Sequence, residues 1–139
     1  MLGSRRAPNE DGTVVTNAVT LDIPASTEHV QLARLVASGI AGRLEFDLDE
    51  IEDLRIAVDE LCVLLLEHGA VDSLRLAYEV VDTTTLLVRG AAHVDGATGP
   101  LEISRLTAQI LDTVADSHEL GVDADGAVFF SLRKTRQTH

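Results

Sequence analysis

The chain has 139 residues, 45% of them hydrophobic and 24% charged, with a net charge of −12 and a pI near 4.6. That length suits one domain with a sizeable core, and the acidity argues against a phosphate-backbone binder, which needs a basic face. One cysteine excludes an internal disulfide, 3% aromatics leave the core to Leu, Val, Ile and Ala, and no apolar run of about 18 residues is present to span a membrane.

The acidic balance fits either encounter with a basic partner or the plain acidity of many soluble proteins. Arg5 and Arg6 are followed by Ala7, Pro8, Asn9 and Glu10, not by the apolar stretch of a secretory signal, so the cytoplasm is the expected compartment. Residues 1–15 are polar, carry Gly3, Pro8 and Gly12, and read as a disordered arm before a domain over 16–133. Val19, Leu21 and Ile23 alternate with polar residues, a half-buried strand ended by Pro24. Ser26 or Thr27 can cap a first helix whose apolar face is Val30, Ala33, Ala37, Ile40, Ala41 and Leu44. Its small residues, Ala33, Ala37, Gly39, Ala41 and Gly42, would let it approach the next helix closely. Arg34 lies off the apolar face.

The second helix, over 48–68, organises the rest. Asp47 or Asp49 can cap it, acids crowd its first turn where the helix dipole favours them, and Gly69 offers a left-handed C-terminal residue. A stripe of Ile51, Leu54, Val58, Leu61, Cys62 and Leu65 should lie on a sheet, with Cys62 a small core residue. The other face carries Ile56, Ala57, Val63 and Leu64 around Asp53 and Glu60, and a helix apolar nearly all round is buried on more than one side. Glu60 would there need a partner or a raised pKa; the plainer reading is a surface Glu near Arg55 or Arg34.

Residues 73–81 and 84–92 alternate as two strands around Asp82 and Thr83, and a loop over 93–100 follows. A third helix over 101–116 gathers Ile103, Leu106, Ile110, Leu111 and Val114 on one face. A short strand from Leu120, a turn at 123–126 and a closing strand over 127–133 precede a polar tail over 134–139. Hairpins with helices between them predict an α+β fold. It is a two-layer α/β sandwich, with a mixed, mostly antiparallel sheet and three helices on one face. His29, His68, His93, His118 and His139 show no metal-ligand spacing, and 123–126 lacks most of a calcium loop, so no metal site is expected.

Leu21–Asp22–Ile23–Pro24–Ala25, an Arg in the first helix, Ile56–Ala57–Val58–Asp59–Glu60 and His68–Gly69 resemble the anti-sigma factor and serine-kinase branch of the GHKL ATPases, the Bergerat or histidine-kinase-like fold. The resemblance covers about residues 18–133 and is nearest to actinobacterial anti-sigma factors of the stress and sporulation type. It implies that Glu60 matches the general base of the kinases and that Arg34 matches an Arg contacting the sigma factor and its antagonist. His68 and Gly69 match the end of the same motif. Leu64, however, stands where the family has the Asn that holds magnesium, and Leu offers no oxygen to a hard cation. The Asp-x-Gly-x-Gly run that reads adenine is replaced by Arg89–Gly90–Ala91–Ala92–His93, and the phosphate loop is reduced to Gly96–Ala97–Thr98–Gly99–Pro100.

Phosphoryl transfer depends on positioning and on the metal's charge. The resemblance therefore implies an anti-sigma factor that sequesters an alternative sigma factor and is released by partner switching with a STAS-type antagonist. It implies no kinase activity, no required ATP or magnesium, no direct contact with nucleic acid or membrane, and a homodimer formed through sheet edges. The alternative is an ATP- and magnesium-dependent serine kinase acting on that antagonist.

Overall fold

A computed structural model describes residues 18–68, 70–95 and 101–137. The elements in chain order are β1 (Ala18–Pro24), α1 (Thr27–Arg43), α2 (Leu48–Glu67), β2 (Ala70–Val71), β3 (Ser73–Asp82), β4 (Thr85–Asp95), α3 (Arg105–Val114), β5 (Ser117–Val122) and β6 (Ala127–Thr135). The sheet runs β1-β3-β4-β6-β5, with β2 paired to the far end of β4. Every described pairing is antiparallel. The helices cover one face, as the two-layer reading requires.

Alternation fixes that face. Ile23 on β1, Leu74, Leu76 and Tyr78 on β3, Leu86 and Val88 on β4, and Val128, Phe130 and Leu132 on β6 point into the core. Their neighbours in sequence point to the opposite face, which no helix among the described residues covers. α2 lies against the sheet through Leu54, Val58, Leu61, Cys62 and Leu65, all fully buried, while Ile51 is half-buried. α1 reaches α2 through Ala33, Ala37 and Ala41, none exposed. Gly39 and Gly42 face outward with open space around them, so the close approach is made by the alanines alone. The Tyr78 hydroxyl, deep in the core, donates to the Ala33 carbonyl at 2.9 Å and ties α1 to β3.

Several bounds differ from the sequence pattern. α3 is shorter than expected: Ser104 caps it, accepting from the Thr107 N–H at 3.1 Å, and Ile103 precedes it. β4 continues to Asp95, and β5 begins at Ser117, before its apolar residues. The expected polar tail is not free at its start. β6 runs through Lys134, which is 8% exposed and lies 3.5 Å from Asp53 on α2. The Arg136 N–H then donates to the Thr84 carbonyl and the Gln137 N–H to the Glu50 carboxylate, each at 2.6 Å. The arm expected over 1–15, the first two residues of the domain expected over 16–133, the cap at Gly69 and most of the loop over 93–100 lie outside the described residues.

Candidate functional site

The site is built on α2 and its junction with α1. Asp47 starts α2 with a capping box: its carboxylate accepts from the Glu50 N–H and Glu50 accepts from the Asp47 N–H, each at 2.8 Å. Glu50 is only 6% exposed because its second oxygen holds Gln137. The start of α2 is thus tied to the segment that follows β6.

At the next turns α1 and α2 exchange charge. Arg34 donates from its Nη1 to Asp59 at 2.8 Å, with the two side chains 28% and 37% exposed. The Arg34 Nε is buried and finds no hydrogen-bond partner among the described residues. One guanidinium nitrogen is therefore fixed by Asp59 while the rest of the fork retains donors, an arrangement suited to a second carboxylate. Beneath the pair, burial and then the Asp59 charge push the Cys62 thiol up to about 12, opposed by Arg34, so Cys62 is an inert core residue.

Glu60, next to Asp59, is half-buried. It makes no hydrogen bond or ion pair among the described residues, and the two arginines considered for it are engaged elsewhere. Arg34 pairs with Asp59, and Arg55 lies 3.5 Å from Glu52 on its own helix. Leu64, one turn on, is half-buried and packs against the core together with Ile56. Apart from buried Ala57, this face of α2 is half-buried among the described residues. α3 packs beside α2, and Leu101, Ile103 and Ile110 pack against the same core. His68 ends α2, its N–H reaching the Leu65 carbonyl at 3.4 Å, and its Nε2 is buried without a partner among the described residues.

Gly90 is buried on β4, and a Cβ built there would lie 2.3 Å from Phe130 Cε2 and 2.6 Å from its Cζ. The glycine makes room for a core ring on β6. Arg89 beside it is exposed and pairs with Glu79 at 3.2 Å. The run Arg89–His93 is thus ordinary sheet, without the carboxylate that reads adenine in the family. Gly96 and Gly99 lie outside the described residues. Among the described residues, the position that the resemblance assigns to the magnesium ligand carries Leu64, which offers no oxygen, and Gly90 serves packing. Among the described residues no three His, Cys, Asp or Glu side chains gather as metal ligands.

Sequence reasoning passed over two features. Asp59 is the residue that orients Arg34, readable only once α1 and α2 are known to pack side by side. Leu32 and Leu35, one turn apart on the outer side of α1, are 44% and 57% exposed. Their signal was present, as two leucines off the helix's apolar face. They form an accessible apolar strip on a side of α1 away from the one that carries Arg34 toward α2.

No protein-family model matches the chain. Over 51 residues it is 44% identical to the serine-protein kinase RsbW of Bacillus subtilis, a match covering 37% of this chain and 32% of that protein. RsbW kinases of Bacillus velezensis and Bacillus thuringiensis match over the same length at 43% and 40%. The matched segment spans about a third of the length of these curated relatives. Among solved structures, the RsbU and RsbW domains of Rv1364c from Mycobacterium tuberculosis share the fold. The TM-score is 0.69 at 15% identity, over 89% of this chain and 34% of that one. Sequence likeness to the RsbW kinases and an RsbW-type fold together bear out the resemblance read from the motifs.

Proposed function

We propose that this relative of the RsbW kinases is an anti-sigma factor. It binds a sigma factor through the α1 surface around Arg34 and gives it up by exchange with a STAS-type antagonist. It works as a homodimer in the cytoplasm, through protein contacts and not nucleic acid, and without phosphoryl transfer. The observation that carries this reading is the state of α2. The helix keeps the family's Ile56–Ala57–Val58–Asp59–Glu60 run but packs Leu64 against the core where a metal ligand would stand. A hard cation has no oxygen there, and an isolated Glu60 cannot replace its charge. What survives is the surface that a protein partner would use. Asp59 holds Arg34 in place, two exposed leucines lie on the outer side of the same helix, and an acidic chain would draw in a basic sigma domain.

The test titrates purified protein against each alternative sigma factor of its host by calorimetry, with and without ATP and magnesium. A nucleotide-independent complex with one sigma factor, weakened by Arg34→Ala, is the expected result. Absence of any sigma complex overturns the reading. The serine-kinase alternative draws on the names of the relatives, and phosphate transfer from labelled ATP to a co-encoded antagonist would establish it instead.

A further inference from the structure

A groove opens where the C-terminal end of α1 meets the edge of the sheet at β1 and β3. Two clefts of about 570 and 400 Å³ join there, sharing Arg43, Leu44 and Val80. The floor is apolar: Val19, Ile40 and Leu44 with Val80 and Val81, of which Val19 and Val81 are 45% and 42% exposed. The rim carries two cations. Arg43 and Arg136 make no ion pair among the described residues, and the Arg136 Nε is buried without a partner. The acids beside them are not their partners: Asp82 accepts from the Thr84 N–H and hydroxyl at 2.8 and 2.9 Å, and Glu45 is exposed. The sheet edge is open at the same place. β1 begins at Ala18, opposite Glu79, whereas β3 continues to Asp82 with β4 on one side and no strand among the described residues on the other. An unpaired strand flank of this kind is a template for a further extended segment.

We infer that the occupant of this groove is the segment just ahead of β1, residues 10–17, laid along β3 as a continuation of β1. Its sequence matches the groove in order. Carrying the β1 register forward places Thr16 opposite Val81 and Val15 opposite Asp82. Val19, Leu21 and Ile23 share the helix side of β1, and the strand period of two puts Val15 on that side, next to Val80 and Leu44. Val14 and Val15 are the apolar pair of an otherwise polar stretch over 9–17. Glu10 and Asp11 come next, behind Gly12. From Val15 back to Asp11 an extended chain reaches about 13 Å, enough to carry a carboxylate across the cleft to Arg43 and Arg136. In a chain of net charge −12, two arginines left without an acid select a carboxylate-bearing occupant, and a tethered segment meets them at a far higher effective concentration than a free peptide. Seated there, the segment ties the turn between α1 and α2 to the sheet edge. The contact is separate from the Arg34 surface, and the inference goes beyond the proposed function and does not depend on it.

Hydrogen exchange read by mass spectrometry on the whole chain, at about 5 and about 200 µM, tests it. In the wild type, peptides over 13–18 and 79–83 should be protected, and equally so at both concentrations. Val15→Asp should speed their exchange about tenfold, and Arg43→Glu about twofold, with the rest of the sheet unchanged. Glu10→Lys with Asp11→Lys should act like Arg43→Glu, and the three together should recover most of the protection. Every substitution lies in the segment or at exposed Arg43, so the fold itself is left intact. Exchange over 13–17 as fast as in a free peptide overturns the inference, as does protection over 79–83 that ignores Val15→Asp. Protection confined to the higher concentration gives the groove to a second copy, and protection gained only on adding a sigma factor or an antagonist gives it to a foreign strand; either result also overturns it.

Discussion

Gly90→Ala tests whether the glycine of the β4 run is kept for packing. The added methyl would sit 2.3 Å from Phe130 Cε2 and 2.6 Å from Cζ, well inside the about 3.5–4.0 Å of an ordinary carbon contact. The ring would have to retreat by more than 1 Å, about the shortfall in that contact, yet Phe130 is 1% exposed and surrounded by buried Val88, Val128 and Leu132. Overpacking of this kind costs about 1–3 kcal/mol. Removing a glycine from a strand returns about 0.5–1 kcal/mol through the unfolded chain and strand propensity. The net expectation is a loss of about 1–2 kcal/mol, or about 4–8 °C in Tm for a domain of this size. Phe130→Leu removes the obstructing ring edge at its own cavity cost. The double variant should therefore be more stable than the sum of the singles predicts, by about 1 kcal/mol. Urea denaturation of the four proteins gives the cycle. Strict additivity, or a neutral Gly90→Ala, would refute the packing account and reopen a ligand role for the glycine.

Glu50→Ala removes both the reciprocal cap of α2 and the acceptor of the Gln137 N–H, and should cost about 2–3 kcal/mol in urea denaturation, with Glu50→Gln costing less. Cys62 stays protonated in the folded chain to about pH 12 while the unfolded thiol ionises near 9.0, so its contribution is intact below pH 9 and drains away as pH rises. Stability should fall by about 1.4 kcal/mol per pH unit on that limb, and Cys62→Ala should flatten it. Tyr78, raised by burial in the same sense, adds a second loss at higher pH that Tyr78→Phe removes. Leu64→Asn should not yield transfer of labelled phosphate to an antagonist, because β4 still lacks the adenine-reading carboxylate; a phosphorylated antagonist from that single variant would sink the non-kinase reading.

The fold was legible where the pattern was dense. α2 announced itself through acids in its first turn and six apolar positions at helical spacing, and the β3–β4 hairpin through alternation around Asp82. The limits of α3 were less visible because Leu101 and Ile103 continue its apolar composition while standing outside the helix; both pack as an extended lead-in. Lys134 looked like tail because a lysine among polar residues normally is, and only the depth of β6 beside α2 shows it shielded near Asp53. In the site, the loss at Leu64 could be read directly, since it is a matter of residue type. The pairing of Arg34 with Asp59 could not. The two are 25 positions apart, and their meeting depends on the lateral register of two helices, which is set by Ala33, Ala37 and Ala41.

That register bears on how exchange between partners can work without chemistry. Arg34 is not a free cation awaiting a ligand: Asp59 already holds it, at a depth where both groups still touch water. In the proposed reading a carboxylate arriving on a partner would share or displace Asp59, replacing one half-solvated ion pair by another, and such swaps are worth little by themselves. The orientation of the guanidinium is settled beforehand, so the partner does not meet that ordering cost. In that reading discrimination would fall largely to long-range attraction between an acidic chain and a basic surface. Two partners competing for this one surface would differ by a small free energy, and their relative concentrations would decide the occupant. A kinase switch biases the competition by modifying one competitor; in the proposed reading a chain with Leu64 in place of the metal ligand would have mass action to work with, and a pre-oriented, weakly discriminating charge pair would keep such an exchange reversible.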